Sequence, residues 1–289
     1  MVFRALCAAC LAGSLLQAPM FHTEARLVVL QVSVKNAHGE IVTNLQRGAF
    51  SVYENGKAQP VSVFRRGDIP VSVGLLIDNS GSMRSIRARV ESAALAFADA
   101  SNPDDELFAM NFADKPELDV PFTSDRAVLA RGIARVDAIG GTAMRDAIQE
   151  AERYLLEHAT RERRALVIVT DGNDNESVAS LDSITRTAQQ REIVIYAIGL
   201  FAHAEQNKAA RADLDRLTEH SGGFAYYPDT IERVEAVALD VAHQIRNQYT
   251  LGYTPLNQAL DGSYRAIQVR VRGAGRLYPR TRTGYLAVR

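Results

Sequence analysis

The chain has 289 residues, 47% of them hydrophobic, which is enough to bury a large core in one domain or two, at roughly 100–200 residues per domain. Its 33 basic and 34 acidic side chains leave a net charge of -1. This balance, mixed along the sequence, gives no reason to expect nucleic acid or an anionic membrane surface as a partner.

The beginning of the chain differs from the rest. Arg4 is followed by the apolar run ALCAACLAGSLLQA, which is rich in leucine and small residues. A basic start, a short apolar middle and small residues before a cleavage point are typical of a secretory signal peptide. We predict a signal peptide over residues 1–25, cleaved between Ala18 and Ala25. The protein is then secreted, periplasmic or held at the cell surface, with no integral membrane segment after cleavage, since a spanning helix needs about 20 apolar residues.

Both cysteines, Cys7 and Cys10, lie inside this predicted signal peptide. The mature chain is therefore expected to have no disulfide, no thiol nucleophile and no zinc–thiolate site. A core of this size does not need disulfides for stability, so export without them is physically acceptable.

Both ends of the mature chain show β patterns. In the N-terminal β segment, residues 26–68, alternating runs flank an Asn55-Gly56 turn, which is a hairpin signal. In the C-terminal β segment, residues 246–289, β-rich runs are separated by turn residues. Because the termini of a domain often lie close together, the favoured architecture is one small β module built from both segments. Two separate small modules are the alternative.

The stretch from 70 to 245 alternates buried-strand runs with helical patterns. VSVGLLI (71–77), ALVIVT (165–170) and IVIYAIG (193–199) are continuous apolar runs. Helical patterns fall near residues 84–100, 124–136, 143–158, 181–190, 211–219 and 231–245. This alternation predicts an α/β fold with a doubly wound, mostly parallel sheet covered on both faces. Only four residues separate LFAMNF from ELDVPF, too few for a crossover, so one antiparallel edge strand is predicted.

Two acidic residues follow strands that we expect to be neighbours. Open α/β sheets bind ligands at the carboxyl ends of strands where the strand order reverses, which in the order 3-2-1-4-5-6 is between the first and fourth strands. The first strand ends at Ile77 and is followed by Asp78. The fourth ends at Thr170 and is followed by Asp171. Both carboxylates are therefore expected at one crevice.

Hydroxyl side chains accompany these two carboxylates. Ser80 and Ser82 follow Asp78 closely, and Thr142 follows a Gly-Gly pair that lets the backbone approach the same edge. Such a set of hard oxygen donors suits Mg²⁺, Mn²⁺ or Ca²⁺ and disfavours zinc or copper. Two carboxylates and neutral hydroxyls would leave a coordination position for an outside oxygen, such as a partner's carboxylate. Alternatively, either serine could simply cap the helix that follows.

These residues resemble the metal-ion-dependent adhesion site of von Willebrand factor type A (VWA) domains. The resemblance covers about residues 70–245 and includes, in the expected order, Asp78, Ser80, Ser82, Thr142 and Asp171. The flanks are similar to those of the VWFA-related domain family of acidobacteria, through Phe50-Ser-Val-Tyr-Glu-Asn-Gly, Tyr249-x-Leu-Gly-Tyr-x-Pro and Gly284-Tyr285.

The resemblance implies a function as well as a fold. It implies that the three hydroxyls touch a divalent cation directly and that Asp78 and Asp171 bind it directly or through water. It further implies an exported protein-binding module for adhesion or interaction, which captures an acidic group of a partner protein through the cation.

Enzyme functions are less well supported by the sequence. No G-x-S-x-G nucleophile elbow is present, since Ser80 lies in Asn-Ser-Gly, and no P-loop lysine follows Gly140-Gly141. We expect no catalytic residues and no enzyme activity. A metal-dependent hydrolase of phosphate esters or peptides is the alternative, with Asp171 or Asp174 as its general base. The basic run Arg161, Arg163 and Arg164 is interpreted as a solvated helix end rather than a phosphate site.

Overall fold

The structure is a computed structural model that describes residues 26–134, 138–201 and 207–288. The predicted signal peptide, residues 1–25, lies outside the described residues. In the part of the chain that is described, no helix combines the length and the apolar character needed to cross a bilayer.

Short strands at both ends of the described chain flank a long α/β segment, called the central domain below. The first strands are β1 (Val28–Asn36), β2 (Phe50–Glu54), β3 (Lys57–Gln59) and β4 (Val61–Arg65). The central domain contains β5 (Val71–Asp78), α1 (Arg87–Ala100), β6 (Glu106–Phe112), β7 (Pro116–Thr123), α2 (Arg126–Ile133), α3 (Met144–His158), β8 (Arg163–Thr170), α4 (Leu181–Arg191), β9 (Ile193–Gly199), α5 (Lys208–Ser221), β10 (Ala225–Tyr226) and α6 (Val234–Arg246). The last strands are β11 (Tyr249–Tyr253), β12 (Tyr264–Val271), β13 (Leu277–Arg280) and β14 (Gly284–Leu286).

The strands of the central domain form one sheet in the order β10-β9-β8-β5-β6-β7. All neighbours are parallel except β7, which pairs antiparallel with β6 at the edge. The strand order reverses between β5 and β8, so the predicted doubly wound fold with one antiparallel edge strand is confirmed. Ile77 of β5 lies beside Val169 of β8 in the register. The residues that follow these two strands therefore meet at the same edge of the sheet.

Helices cover both faces of this sheet. Val73, Leu75 and Ile77 of β5 face an apolar cluster shared with α1, α2 and α6. Leu76 faces a second cluster, shared with α3, α4 and α5. Because both faces are covered, every residue of β5 is buried, which explains its continuous apolar run.

Gly74 of β5 lies where the packing leaves no room for a side chain. A Cβ at this position would lie 2.3 Å from Phe108 Cζ and 2.7 Å from Leu166 Cδ2. We expect Gly74→Ala to lower the free energy of unfolding by about 1–3 kcal/mol, because overfilling a packed core forces side chains and backbone to shift. Urea unfolding measures this loss. Gly48→Ala is the control, since a Cβ at Gly48 meets no atom within 4 Å, and equal losses in the two variants would contradict the packing argument.

The terminal strands combine into one β module around the central domain. One antiparallel sheet has the order β13-β1-β11-β4 and the other β14-β12-β2-β3. Each sheet contains strands from both ends of the chain, and both sheets contribute to one apolar cluster that includes Leu30, Val52 and Tyr285. The structure thus has the single module rather than two separate ones. The strand β13 was not anticipated from the sequence.

Arg163 and Arg164 lie in the strand β8 and not in a solvated helix end, so that interpretation of the basic run is wrong for both residues. Arg163 begins β8 and is only 4% exposed. Its guanidinium donates hydrogen bonds to the carbonyl oxygens of Ile69, at 3.3 Å, and Ile245, at 2.6 Å, and to the Gln248 side chain. These acceptors lie where the central domain joins the β module, which explains how a buried arginine is accommodated.

Candidate metal-binding site

Asp78 is the last residue of β5 and is fully buried. Its Oδ1 accepts a hydrogen bond from the Ser80 backbone N–H at 2.9 Å, and its Oδ2 accepts one from Thr170 Oγ1 at 2.6 Å. Burial raises the pKa of this carboxyl, and the hydrogen bonds lower it by less. An ionised carboxylate buried here would be stabilised by a cation placed beside it.

A chain of contacts connects Asp78 to Asp171. The hydroxyl oxygens of Ser80 and Ser82 lie 3.1 Å apart, and Ser82 Oγ donates to Asp171 Oδ1 at 2.7 Å. Burial raises the pKa of Asp171 more than the Ser82 hydrogen bond lowers it, and the charge of Asp78 raises it further. The structure thus brings four of the five expected residues into one connected group, with Ser80 buried and Ser82 exposed.

Thr142 approaches the same group from a third loop. The residue is 4% exposed, and its Oγ1 lies 3.4 Å from where a Cβ on Gly172, next to Asp171, would be. Its backbone N–H donates to Asn175 Oδ1 at 2.8 Å, and its carbonyl accepts from the Asn175 N–H at 3.1 Å. Asn175 therefore ties the Thr142 loop to the loop that follows β8.

The Gly140-Gly141 pair also contacts the loop after β5. The Gly81 N–H donates to the Gly140 carbonyl at 3.2 Å, and the Gly141 N–H donates to Asp114 Oδ1 at 2.5 Å. Gly140 has a φ of +88°, and a Cβ on it would lie 2.7 Å from Asp114 Oδ1. Glycine is required here both for this backbone conformation and for this close approach.

The serines do not act as helix caps. Ser80 precedes a short 3-10 helix, Gly81–Ser85, but its side chain makes no capping hydrogen bond. The helix α1 begins only at Arg87. The hydroxyls of Ser80 and Ser82 point instead to each other and to Asp171, so the capping alternative is not supported.

Three further residues position the site but were not singled out from the sequence. Thr170 orients Asp78, Asp114 holds the glycine loop, and Asn175 holds Thr142. Thr170 could have been noticed in the sequence, because it is a polar residue at the end of the apolar run ALVIVT. Asp114 and Asn175 gave none, since their partners lie 27 and 33 residues away in the sequence.

Asp174 has a different role from Asp171. It forms an ion pair with Arg145 at 3.0 Å and accepts a hydrogen bond from the Arg145 backbone N–H at 2.7 Å. It also accepts from Ser177 Oγ at 2.7 Å. Burial raises the pKa of Asp174, but these hydrogen bonds outweigh it and hold the pKa below its ordinary value. Asp174 therefore anchors its loop.

The chemistry of the grouped side chains fits a hard divalent cation. Two carboxylates and three hydroxyls supply only oxygen, the donor type that Mg²⁺, Mn²⁺ and Ca²⁺ prefer. No cluster of three or more His, Cys, Asp or Glu side chains suited to a metal occurs within the described ranges. A metal at this edge would therefore depend on the hydroxyls as well as on the two carboxylates.

Fold and site together define an open α/β domain with an oxygen-rich group of side chains at its topological switch point. Residues 73–173 match the family model of the von Willebrand factor type A domain. The chain therefore contains a VWA domain, and this part of the sequence resemblance is confirmed. Domains of this class generally mediate protein–protein interactions. A search of curated protein sequences finds no match.

Solved structures with VWA folds resemble the chain at low sequence identity. A von Willebrand factor type A protein from Catenulispora acidiphila superposes with a TM-score of 0.55 at 13% identity, covering 84% of this chain and 73% of that one. Proximal thread matrix protein 1 from the mussel byssus has a TM-score of 0.54 at 16% identity, covering 67% and 51%. An aerotolerance-related membrane protein from Bacteroides fragilis has a TM-score of 0.50 at 18% identity, covering 61% and 98%. At these identities the likeness concerns the fold.

Proposed function

We propose that this protein is an exported, metal-dependent protein-binding module that captures an acidic group of a partner protein. The proposal rests above all on one observation. Asp78 ends β5 and Asp171 directly follows the neighbouring strand β8, so both lie at one edge of the sheet, where the hydroxyls of Ser80 and Ser82 connect them. The membrane-protein neighbour from Bacteroides fragilis is compatible with a role outside the cytoplasm, which the sequence of residues 1–25 also favours.

Each of the five residues has a distinct part in the proposed site. Ser80, Ser82 and Thr142 would offer hydroxyl oxygens, and Asp78 and Asp171 would balance the charge of Mg²⁺, Mn²⁺ or Ca²⁺. When bound, such a cation supplies a positive charge and a coordination position for an outside oxygen. Ser82 is exposed, as is Ile139 beside the Gly140 loop at 59%. The proposed position is therefore open to a partner's side chain.

The metal-dependent hydrolase is not favoured. A hydrolase needs a general base with a pKa near the working pH. Asp174 is occupied by Arg145 and Ser177, and these contacts hold its pKa low. Asp171 is itself a proposed metal ligand, so neither candidate base is free to accept a proton.

Selection of displayed peptides on the immobilised chain tests the proposed function. In buffer with Mg²⁺ or Mn²⁺, the selected peptides are expected to carry an aspartate or glutamate at a common position. Binding is expected to disappear with a chelator, and also when that acid is replaced by its amide, because a neutral amide binds a hard cation less well. Peptides that bind equally with chelator, or equally as the amide, would contradict the proposal.

A further inference from the structure

A cavity lies at the opposite end of the central sheet from the candidate metal-binding site. It has a volume of about 370 Å³ and lies between the central domain and the β module. Arg163 and Glu192, at the starts of β8 and β9, face it from the central domain, and β1, β4 and β11 line it from the module. Since β5 spans eight residues, roughly 20 Å separates the two ends of the sheet.

The size and position of this cavity are those of a small-molecule site. Ligand sites commonly lie at domain interfaces and measure about 300–1,000 Å³. Four aliphatic side chains line the cavity: Leu27, Val29, Val63 and Ile69. Six polar or charged residues complete the lining, and two of them pair with each other, since Thr250 Oγ1 donates to Gln31 Oε1 at 2.9 Å. The cavity therefore favours a ligand with an aliphatic body.

Arg163 places a positive charge in the cavity wall. Among the described residues, its hydrogen-bond acceptors are two carbonyl oxygens and one amide oxygen, and its buried Nε has no acceptor there. Asp68 and Asp105 attract it at longer range, but no carboxylate of the described residues forms an ion pair with it. Burial lowers the pKa of this guanidinium, so its charged form gains stability from an anion nearby.

The other charges that line the cavity already have partners. Arg65 forms an ion pair with Glu162 at 3.3 Å, and both side chains are largely exposed at the rim. Glu192 accepts a hydrogen bond from Arg282 at 2.9 Å. Arg163 is therefore the only charged residue in the described wall that is not in contact with an opposite charge.

We propose that this cavity binds a small aliphatic monocarboxylate, with its hydrocarbon chain against the valine and leucine side chains and its carboxylate toward Arg163. Of the two guanidiniums in the wall, Arg65 is paired with Glu162, so Arg163 alone is left to match one negative charge. A phosphate monoester, with nearly two charges at neutral pH, would need more basic groups than the wall offers. The proposal does not depend on the metal site at the other end of the sheet.

The test varies the charge of the ligand at constant shape. Hexanoate, hexanamide and hexylamine are titrated into the chain while NMR shifts or heat are recorded. The protein is first freed of divalent ions, so that hexanoate cannot bind through a cation at the other site. Saturable binding of hexanoate is expected, about tenfold stronger than that of the amide, because hydrogen bonds to charged groups are stronger than neutral ones. Equal binding of the amide or the amine, or no saturable binding, would overturn the proposal.

Two matched variants test the location. Val63→Phe fills the cavity from the strand β4 at the sheet edge, and binding of hexanoate is expected to be lost. Val178→Phe is the control, because Val178 is 93% exposed in a loop of the central domain and does not line the cavity. Both variants are first compared with the parent chain by thermal unfolding. Undiminished binding by folded Val63→Phe would show that the ligand lies elsewhere and overturn the assignment.

Discussion

The Glu152→Gln variant is expected to be more stable than the parent chain at neutral and alkaline pH. Glu152 lies on the buried face of α3, is 2% exposed, and has an Oε1 without a hydrogen-bond partner among the residues that the structure describes. Burial raises the pKa of its carboxyl from 4.5 to about 9. The folded protein therefore holds this carboxyl protonated across the range in which the unfolded chain releases the proton.

The direction of the pH effect follows from this difference. Between pH 4.5 and about 9, the folded state binds one proton more than the unfolded state, so stability falls as the pH rises. The slope from this group is at most about 1.4 kcal/mol per pH unit. Glutamine carries no titrating proton and removes the slope.

Urea unfolding at about pH 5 and about pH 8 measures the effect. The loss of stability between the two pH values is expected to be smaller in Glu152→Gln than in the parent chain. Glu157→Gln is the matched control, since Glu157 lies on the same helix and is exposed. If Glu152→Gln loses as much stability as the control over this range, Glu152 is not buried as described.

The second large effect concerns two aspartates of one loop. Asp171→Asn is expected to lower the affinity for Mg²⁺ or Mn²⁺ by more than about 100-fold, because losing even an outer-shell partner of a metal costs about 10–100-fold. Its effect on the metal-free fold should be small, since Asp171 is half-buried and accepts a single side-chain hydrogen bond, from Ser82. Calorimetry gives the affinity, and thermal unfolding gives the stability.

Asp174→Asn is the matched comparison and should behave in the opposite way. It removes the ion pair with Arg145 and weakens the contacts with Ser177, so the free energy of unfolding is expected to fall by about 1–3 kcal/mol. Because Asp174 is not a proposed ligand, its variant should bind metal more tightly than Asp171→Asn does. If Asp174→Asn bound the metal more weakly than Asp171→Asn, the choice of Asp171 as the metal ligand would be wrong.

The fold of the central domain could be predicted because its sequence pattern and its packing agree. Continuous apolar runs such as 71–77 and 193–199 became strands buried on both faces. The short link before Pro116 correctly predicted an antiparallel edge strand. Strand order then followed from a general rule for open sheets, and that rule placed Asp78 and Asp171 at one edge.

The sequence pattern does not predict contacts between residues that are far apart in the chain. Arg163 looks like one member of a basic surface run, but carbonyl groups of two distant segments make its burial possible. Glu152 is a polar residue within a helical sequence pattern and would be expected at the surface, yet it lies on the buried face of α3. The strand β13 pairs with β1 across most of the chain. Such features depend on where segments meet in space, which local periodicity does not encode.

The sequence predicted the residues of the candidate site but not the residues that position them. Asp78, Ser80 and Ser82 carry a recognisable spacing, and their grouping with Asp171 follows from strand order. Asp114 and Asn175 act only through backbone contacts with a loop far away in sequence. The narrower resemblance of the flanks to the acidobacterial family, the bound metal and the signal peptide stay predictions.

Calorimetric titration of Mg²⁺ and Mn²⁺ into the purified chain and into Asp78→Ala tests the central claim most directly. The parent chain is expected to bind one divalent ion, and Asp78→Ala none, because the variant removes one of the two carboxylates of the group, which is fully buried. The variant also leaves Thr170 and the Ser80 N–H without their acceptor, so its folding is checked by circular dichroism first. Divalent binding that is absent from the parent chain, or that is unchanged in folded Asp78→Ala, would contradict a metal site at this edge of the sheet.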